Sequence, residues 1–534
     1  MSKRSQLIDK YGFAIYPLLF SLFPLLSFYG ANAAEIESGD FTLAPFFVLS
    51  LTVVVGSWVV SYLLTKNVQK ASILTTVFLA VFFTFGRIEG RAGSIISEFI
   101  IPFGPNIGPT KLLFIICGLF LLGAWFLVMH VKSEGLKKAN STLTIIAGVV
   151  VASTLITVFP AVFSNIGNTS TSSALEAINI ETNNNSLPDV YYILLDGYAR
   201  ADFLKKNFGY DNSGFITSLN KRGFYVAKQA NANYAHTFLS VPSTFNMEYV
   251  NFLTEELGST STSRARLKEM TQIHKVAGIF KTLGYKYVNI GSQWHWTNTS
   301  PIQDIEIIPS RQSKQKILKF ELDELAMVYL QTTILKPFIE ADIQNTLVTQ
   351  ITDAIEKTQK VSEFAESTLT FTHLLIPHPP YIFNRDGVIQ GQTKLELDNH
   401  GFSDKEKFME QTIYTNKLTL DLVDAIITNS DSPPIIIIAS DHGPASSLGR
   451  RDFENIGPDE LDEEGVKERM GILNAYYFPD QNYKELYQQI TPVNTFRLIL
   501  RQYFGQDIEL LPDHSYFSDN KKNLYKFVDV TESL

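Results

Sequence analysis

The sequence predicts an α/β sandwich around a mainly parallel sheet, preceded by an all-helical membrane domain. Three observations predict it. Apolar runs fill much of residues 11–165, a polar stretch reaches to residue 187, and from Pro188 short apolar strands alternate with longer helices. At 534 residues the chain is too long for one ordinary domain. The expected division is a five-span transmembrane domain over 1–165, a polar tether over 166–187 and an outer domain over 188–534.

Five segments have the length and apolarity of bilayer-crossing helices: Tyr11–Gly30, Leu43–Leu64, Ala71–Gly86, Leu112–Val131 and Thr142–Phe163. The third is short and polar-edged. With the N-terminus inside, the cytoplasmic loops carry Lys3, Arg4, Lys10, Lys66, Lys70, Lys132, Lys137 and Lys138. The other side carries Arg87, Arg91 and Lys111, and its first loop holds Glu35, Glu37 and Asp40. This is the positive-inside pattern, and an odd number of spans places the chain after residue 165 outside the cytoplasmic membrane. Failure of the third segment to cross would invert that. A basic start and Ala-Asn-Ala-Ala at 31–34 also fit a cleaved signal peptide, although the apolar stretch is long for one and further spans follow.

Cys117, the single cysteine, lies in the fourth span, so no disulfide is expected in the outer domain. A net charge of −9 without basic blocks argues against a nucleic-acid partner. Residues 165–187 are rich in Ser, Thr and Asn, with Asn-Thr-Ser-Thr-Ser-Ser at 168–173 and Thr-Asn-Asn-Asn-Ser at 182–186. They read as a tether with at most a short interfacial helix near Ala174–Ile180.

In the outer domain Val190–Leu195 is a nearly continuous apolar run, as a central strand of a parallel sheet requires. Tyr287–Ile290, Leu369–Ile376, Pro434–Ala439 and Ala475–Phe478 read as further strands. Helical periodicity is clearest in Arg266–Thr282, Ser313–Leu335, Lys405–Thr428 and Pro492–Tyr503, the last with Thr491 as cap and Pro492 at the first helical position. Ligands of such a fold normally sit beyond the carboxyl ends of the strands.

Chemistry-bearing residues fall at those ends. Asp196 directly follows Val190–Leu195 and precedes Gly197, and Asp441 and His442 follow the strand 434–439 with Gly443 behind them. A hard divalent cation accepts carboxylate oxygen, and zinc or manganese also accepts imidazole. The alternative is that these are turn and strand-end residues only. Thr237 lies in Asn233-Tyr-Ala-His-Thr-Phe-Leu-Ser240, where a turn enters a helix whose first amides suit phosphate oxygens. A metal-activated hydroxyl there is a nucleophile. On local grounds Thr237 is equally a simple N-cap, with Ser240, Ser243 and Thr244 as rival hydroxyls.

With these residues in view, the chain resembles the alkaline phosphatase and sulfatase superfamily. Within it, the chain looks most like the membrane-anchored lipoteichoic acid synthases and phosphoethanolamine transferases. The resemblance covers residues 188–520 in fold and motif order, and the anchor more loosely. Asp-Val-Tyr-Tyr-Ile-Leu-Leu-Asp-Gly (189–197) matches the strand that delivers the first metal carboxylate, and Thr237 matches a threonine nucleophile that also ligates the metal. Ser-Asp-His-Gly (440–443) matches the late metal pair and is the most specific signal. His378, in Pro-His-Pro-Pro-Tyr (377–381), matches a histidine near the transferred group.

The resemblance implies an alkaline-phosphatase-like sandwich holding one divalent metal, zinc or manganese, on Asp196, Thr237, Asp441 and His442. It implies transfer of a phosphorylated head group from a membrane phospholipid to an envelope glycan or lipid acceptor through a phospho-Thr237 adduct. The catalytic domain would then lie on the periplasmic side of the cytoplasmic membrane. A phosphodiesterase or phosphatase ending in hydrolysis is the alternative, and a non-catalytic binding module a third.

The chain also departs from these relatives. The named transferases usually begin their site with glutamate, where this chain has Asp196. His373, Asp398 and His400 make a poor second metal set, which favours one metal. Ser240-Val-Pro-Ser-Thr244 lacks the arginine of a sulfatase formylglycine motif. His236, Trp294, His295 and His514 are candidate substrate contacts, the two tryptophans Trp294 and Trp296 suiting sugar stacking or the membrane interface. Arg450 and Arg451 are candidate phosphate contacts, with ordinary solvated loop residues as the alternative. His373, five residues before His378, is expected to face away on an extended strand.

Overall fold

The computed structural model describes residues 3–31, 44–100, 108–166, 187–309, 316–317, 320–321, 324–390, 402, 404–448, 463–519 and 523–534. They form two compact units, one of Met1–Thr169 with Ser313–Ile343, the other of Ser170–Gln312 with Gln344–Leu534. Asp398, His400, Arg450, Arg451 and most of the tether, including the helix expected near 174–180, lie outside the described residues.

The first unit holds helices α1 (Lys3–Ala31), α2 (Ala44–Thr65), α3 (Val68–Ile100), α4 (Pro109–His130) and α5 (Ser133–Ile166). Among the described residues, four stretches are long and apolar enough to cross a membrane: Phe46–Thr65, Val68–Gly90, Pro109–His130 and Ser133–Ile156. The apolar part of α1, Ile15–Gly30, is shorter. The third segment, polar-edged in the sequence, is among the four. Leu119, Leu127, Val149 and Ile156 point outward from these helices, as side chains meeting hydrocarbon do.

The same unit takes in chain from far downstream, which the helical reading of Ser313–Leu335 does not anticipate. Lys316–Ile317 and Phe320–Glu321 pair as antiparallel strands, helix appears at Glu324–Gln331, and a further helix starts at Lys336. Tyr329 is buried with its ring edge-on to Phe28 and Phe46, centroids 5.3 and 5.1 Å away. The Gly86 amide donates to the Thr332 carbonyl (3.1 Å) and the Ile334 amide to the Phe82 carbonyl (2.8 Å). Gly86 permits this approach, because a Cβ there would lie 1.8 Å from the Gln331 carbonyl oxygen. Lys336 Nζ meets Glu89 Oε2 at 2.8 Å, both groups largely buried, and the Thr110 hydroxyl donates to Glu89 Oε1.

The second unit is built on a seven-stranded, mostly parallel sheet. Its strands are β1 (Val190–Leu195), β2 (Tyr225–Val226), β3 (Lys286–Ile290), β4 (Ile305–Ile307), β5 (Thr368–Leu374), β6 (Ile435–Ala439) and β7 (Asn474–Tyr477), in the order β2-β7-β6-β1-β5-β3-β4. β6, β1, β5, β3 and β4 run parallel, while β7 is antiparallel to both β6 and β2. β1 and β6 are buried at every residue, which explains their unbroken apolar sequences.

Helix Thr237–Asn246 is anchored on this sheet through Phe245, whose ring lies 5.7 Å from Tyr192 of β1 and 4.7 Å from Phe371 of β5. Two helical expectations change in detail. Arg266–Thr282 is two helices, Ala265–Gln272 and Lys275–Thr282, because His274 breaks the first and caps the second by accepting the Ala277 amide. At the other site a 3-10 turn, Pro492–Asn494, precedes helix Thr495–Phe504, and the Thr491 hydroxyl donates to Asp513 instead of capping.

Candidate metal centre

The register of the central strands brings the two aspartates together. Leu194 of β1 lies opposite Ala439 of β6 and His373 of β5, so two residues further on Asp196 and Asp441 leave the sheet side by side. The Gly197 amide donates to Asp441 Oδ1 (3.2 Å) and the Tyr198 amide to Ser440 Oγ (2.9 Å), pinning the two strand ends to each other. Gly197 has φ +69°, a left-handed conformation that favours glycine. Gly443 is needed for space, since a Cβ there would lie 2.1 Å from the Glu468 carbonyl oxygen.

Thr237 is the first residue of its helix, and His236 occupies the cap position with extended backbone. The N-cap alternative for Thr237 therefore falls. The Thr237 hydroxyl lies 3.1 Å from His442 Nε2. His442 Nδ1–H donates to the Gly443 carbonyl (3.0 Å), which leaves Nε2 as the ring's lone-pair nitrogen. That nitrogen is 3.3 Å from Asp441 Oδ2 and 3.7 Å from Asp196 Oδ1. One ligand atom from each of Asp196, Asp441 and His442 falls within 4.8 Å of the others, and all three residues are buried.

Their electrostatics fit a cation. Burial, with help from the Asp196 carboxylate, raises the Asp441 carboxyl above its ordinary range. Burial pushes Asp196 the same way, but His378, His373 and His442 outweigh it and hold that carboxyl low. Burial and the nearby Arg469 keep His442 neutral, as a ligand must be. Asp196 Oδ1 and Asp441 Oδ2 are buried without hydrogen-bond partners. Two such carboxylate oxygens beside His442 Nε2 make a donor set that suits a divalent cation such as zinc or manganese.

His373 is a correction. It does not face away: Nε2 lies 3.4 Å from Asp196 Oδ2, and Nδ1 is 3.0 Å from the Thr297 hydroxyl. Alternation fails as a guide because β5 ends at Leu374, so His373 and His378 do not share one extended strand. His378 also reaches the centre. Its amide donates to the Asp196 carbonyl (3.1 Å) and its ring centroid is 6.3 Å from that of His442.

The other candidates are placed more variously. Trp294 stacks on Trp296 at 5.0 Å and meets His373 edge-on at 5.9 Å. His295 opens the short helix His295–Asn298, its ring edge-on to Trp296. His236 is buried, with Nε2–H donating to the Ser518 carbonyl (3.2 Å) and its ring stacked on Phe238. His514 pairs with Asp529 at 2.9 Å and lies against Tyr516. Two residues without a motif also border the centre: Phe402, beside Gly197 and His378, and Arg469. A lone arginine closing a charged helix carries no sequence signal.

Fold and site together define an α/β protein whose parallel sheet presents two carboxylates, an imidazole and a hydroxyl at its carboxyl edge. No protein-family model matches the chain, and no curated protein does. Solved structures do. The zinc complex of the C-terminal periplasmic domain of EptC from Escherichia coli aligns at 11% identity over 66% of this chain and 96% of that one, with a TM-score of 0.40. The integral membrane lipooligosaccharide phosphoethanolamine transferase A from Neisseria meningitidis aligns at 11% identity over 91% of this chain and 94% of that one, TM-score 0.39. A 2-O GAG sulfatase aligns at 10% identity over 62% and 77%, TM-score 0.37.

Proposed function

We propose that the chain is a membrane-anchored phosphotransferase. It moves a phosphorylated head group from a membrane phospholipid to an envelope glycan or lipid acceptor, on the periplasmic side of the cytoplasmic membrane. The observation that carries this reading is the Thr237 hydroxyl at 3.1 Å from His442 Nε2, at the start of a helix and beside the buried Asp196–Asp441–His442 set.

Asp196, Asp441, His442 and the Thr237 hydroxyl would hold one divalent cation, zinc or manganese, which when bound stabilises phosphoryl charge and eases ionisation of the hydroxyl. Thr237 Oγ attacks phosphorus, and the bond to the diacylglycerol-type alcohol breaks as the new oxygen–phosphorus bond forms. His378 gives the departing alkoxide a proton and takes one back from the acceptor hydroxyl, which attacks phospho-Thr237 and frees the threonine. The helix Thr237–Asn246 directs its first amides toward phosphoryl oxygens. Trp294, half-buried, backed by the core residue Trp296 and edge-on to His373, offers an aromatic edge to the substrate's sugar or lipid part.

Peptide mass spectrometry of the chain purified from its native membrane, beside Thr237→Ala, tests the reading. A discrete added mass on the Thr237 peptide, absent from the variant, is expected, and that mass identifies the head group. Full activity in Thr237→Ala overturns the threonine mechanism. An adduct that discharges to water at the same rate with or without acceptor moves the assignment to a hydrolase.

A further inference from the structure

We infer that Arg469 is a positioning residue that sets the Thr237 and His442 loops in register through two backbone carbonyls; this rests on the metal reading above. Arg469 is buried near the end of helix Glu463–Met470. Its Nε donates to the Ala235 carbonyl (2.6 Å) and its Nη1 to the Gly443 carbonyl (2.8 Å). Ala235 lies two residues before Thr237, and Gly443 directly follows His442. One planar guanidinium therefore spans two loops that are far apart in the chain, and its rigid fork fixes their separation.

The Gly443 carbonyl has a second donor, His442 Nδ1–H at 3.0 Å. By orienting that carbonyl, Arg469 fixes which ring nitrogen of His442 carries the proton and which is left for the centre. The surrounding backbone agrees. The Gly443 amide donates to the Arg469 carbonyl (2.7 Å), and adjacent Glu468 accepts the Ser447 amide (2.8 Å) and the Ser446 hydroxyl. The end of one helix thus braces the loop after the late metal pair at several points. Lysine, a single rotatable point donor without the planar fork, does not fix the separation of the two carbonyls.

The test uses the full-length chain in detergent, stripped of metal and titrated with Zn2+. Arg469→Lys should bind about 10–100-fold more weakly than wild type, the size of loss typical when a ligand's outer partner is removed. Its metal-free melting temperature should stay within about 5 °C of wild type. In a His442→Ala background the same substitution should cost a smaller factor in affinity than in wild type, because the part of its effect that runs through His442 is gone.

Equal loss in both backgrounds would make Arg469 a general structural residue and overturn the inference, as would wild-type affinity in Arg469→Lys. If the lysine variant does not fold, Arg469→Gln, whose amide reaches only one carbonyl, takes its place in the same titrations. A wild-type chain that binds no Zn2+ overturns the metal reading and this inference with it. Zn2+ binding that is strong in wild type and unchanged in the variants overturns the inference alone.

Discussion

Asp196 and Asp441 confront each other where water is excluded, and two ionised carboxylates so placed repel strongly. Without metal Asp441 is the one whose carboxyl burial and Asp196 hold above its ordinary range, and asparagine keeps its shape while removing the carboxylate–carboxylate repulsion. Asp441→Asn should therefore leave the metal-free melting temperature unchanged or raise it. Wild type should gain about 2.7 kcal/mol when Zn2+ is supplied at 100 times its dissociation constant, and the variant almost none. Thermal melts in chelator and in Zn2+ measure both. An equal gain in the two proteins would show that the cation binds elsewhere. The residues that the sequence singles out and the structure brings together share one trait: Asp196 and the Asp441–His442 pair each come after an apolar run and before a glycine, and Thr237 opens a helix after a polar turn. His373 was misread because alternation was carried past the end of its strand. Arg469 was missed because it acts through carbonyls, which have no side-chain signature.

At the scale of elements, the five strands expected from apolar runs are present with ends shifted by no more than two residues, since burial on both faces writes itself into composition. The short edge strands Tyr225–Val226 and Ile305–Ile307 were not legible, because so few residues carry no period. The break at His274 was hidden for a different reason: periodicity continues through it, and the break is made by a side chain. His274 Nδ1 accepts from the Ala277 amide, so Nε2–H donates to the Tyr287 hydroxyl (3.1 Å), and the ring stacks on Phe245 at 4.2 Å. Burial pushes its pKa down to about 3, against about 6.5 in an unfolded chain. The unfolded state therefore binds a proton that the folded state refuses, and stability falls as pH drops below about 6.5. Relative to His274→Asn, the metal-free wild-type chain should lose about 2 kcal/mol between pH 7 and pH 5, at about 1.4 kcal/mol per pH unit. Urea unfolding followed by tryptophan fluorescence tests this, and parallel pH profiles would refute it.

At the scale of the molecule, the first unit is closed by residues that are distant in sequence. Its Lys336–Glu89 pair sits among apolar helices, where an unpartnered charge is expensive. Lys336→Met should lower the stability of the detergent-solubilised chain by about 3–5 kcal/mol. Adding Glu89→Gln should restore most of it, because the stranded carboxylate is then gone. Equal destabilisation in the single and double variants would mean that the lysine stem, not its charge, matters. The interleaving also gives the helical unit a history. The ribosome finishes Thr169 well before it reaches Ser313, and at about 5–20 residues per second the interval is on the order of ten seconds or more. For that time the aromatic socket of Phe28, Phe46 and Phe83 has no Tyr329 to fill it. The N-terminal helices must wait, incomplete, until residues 170–312 of the second unit have been delivered.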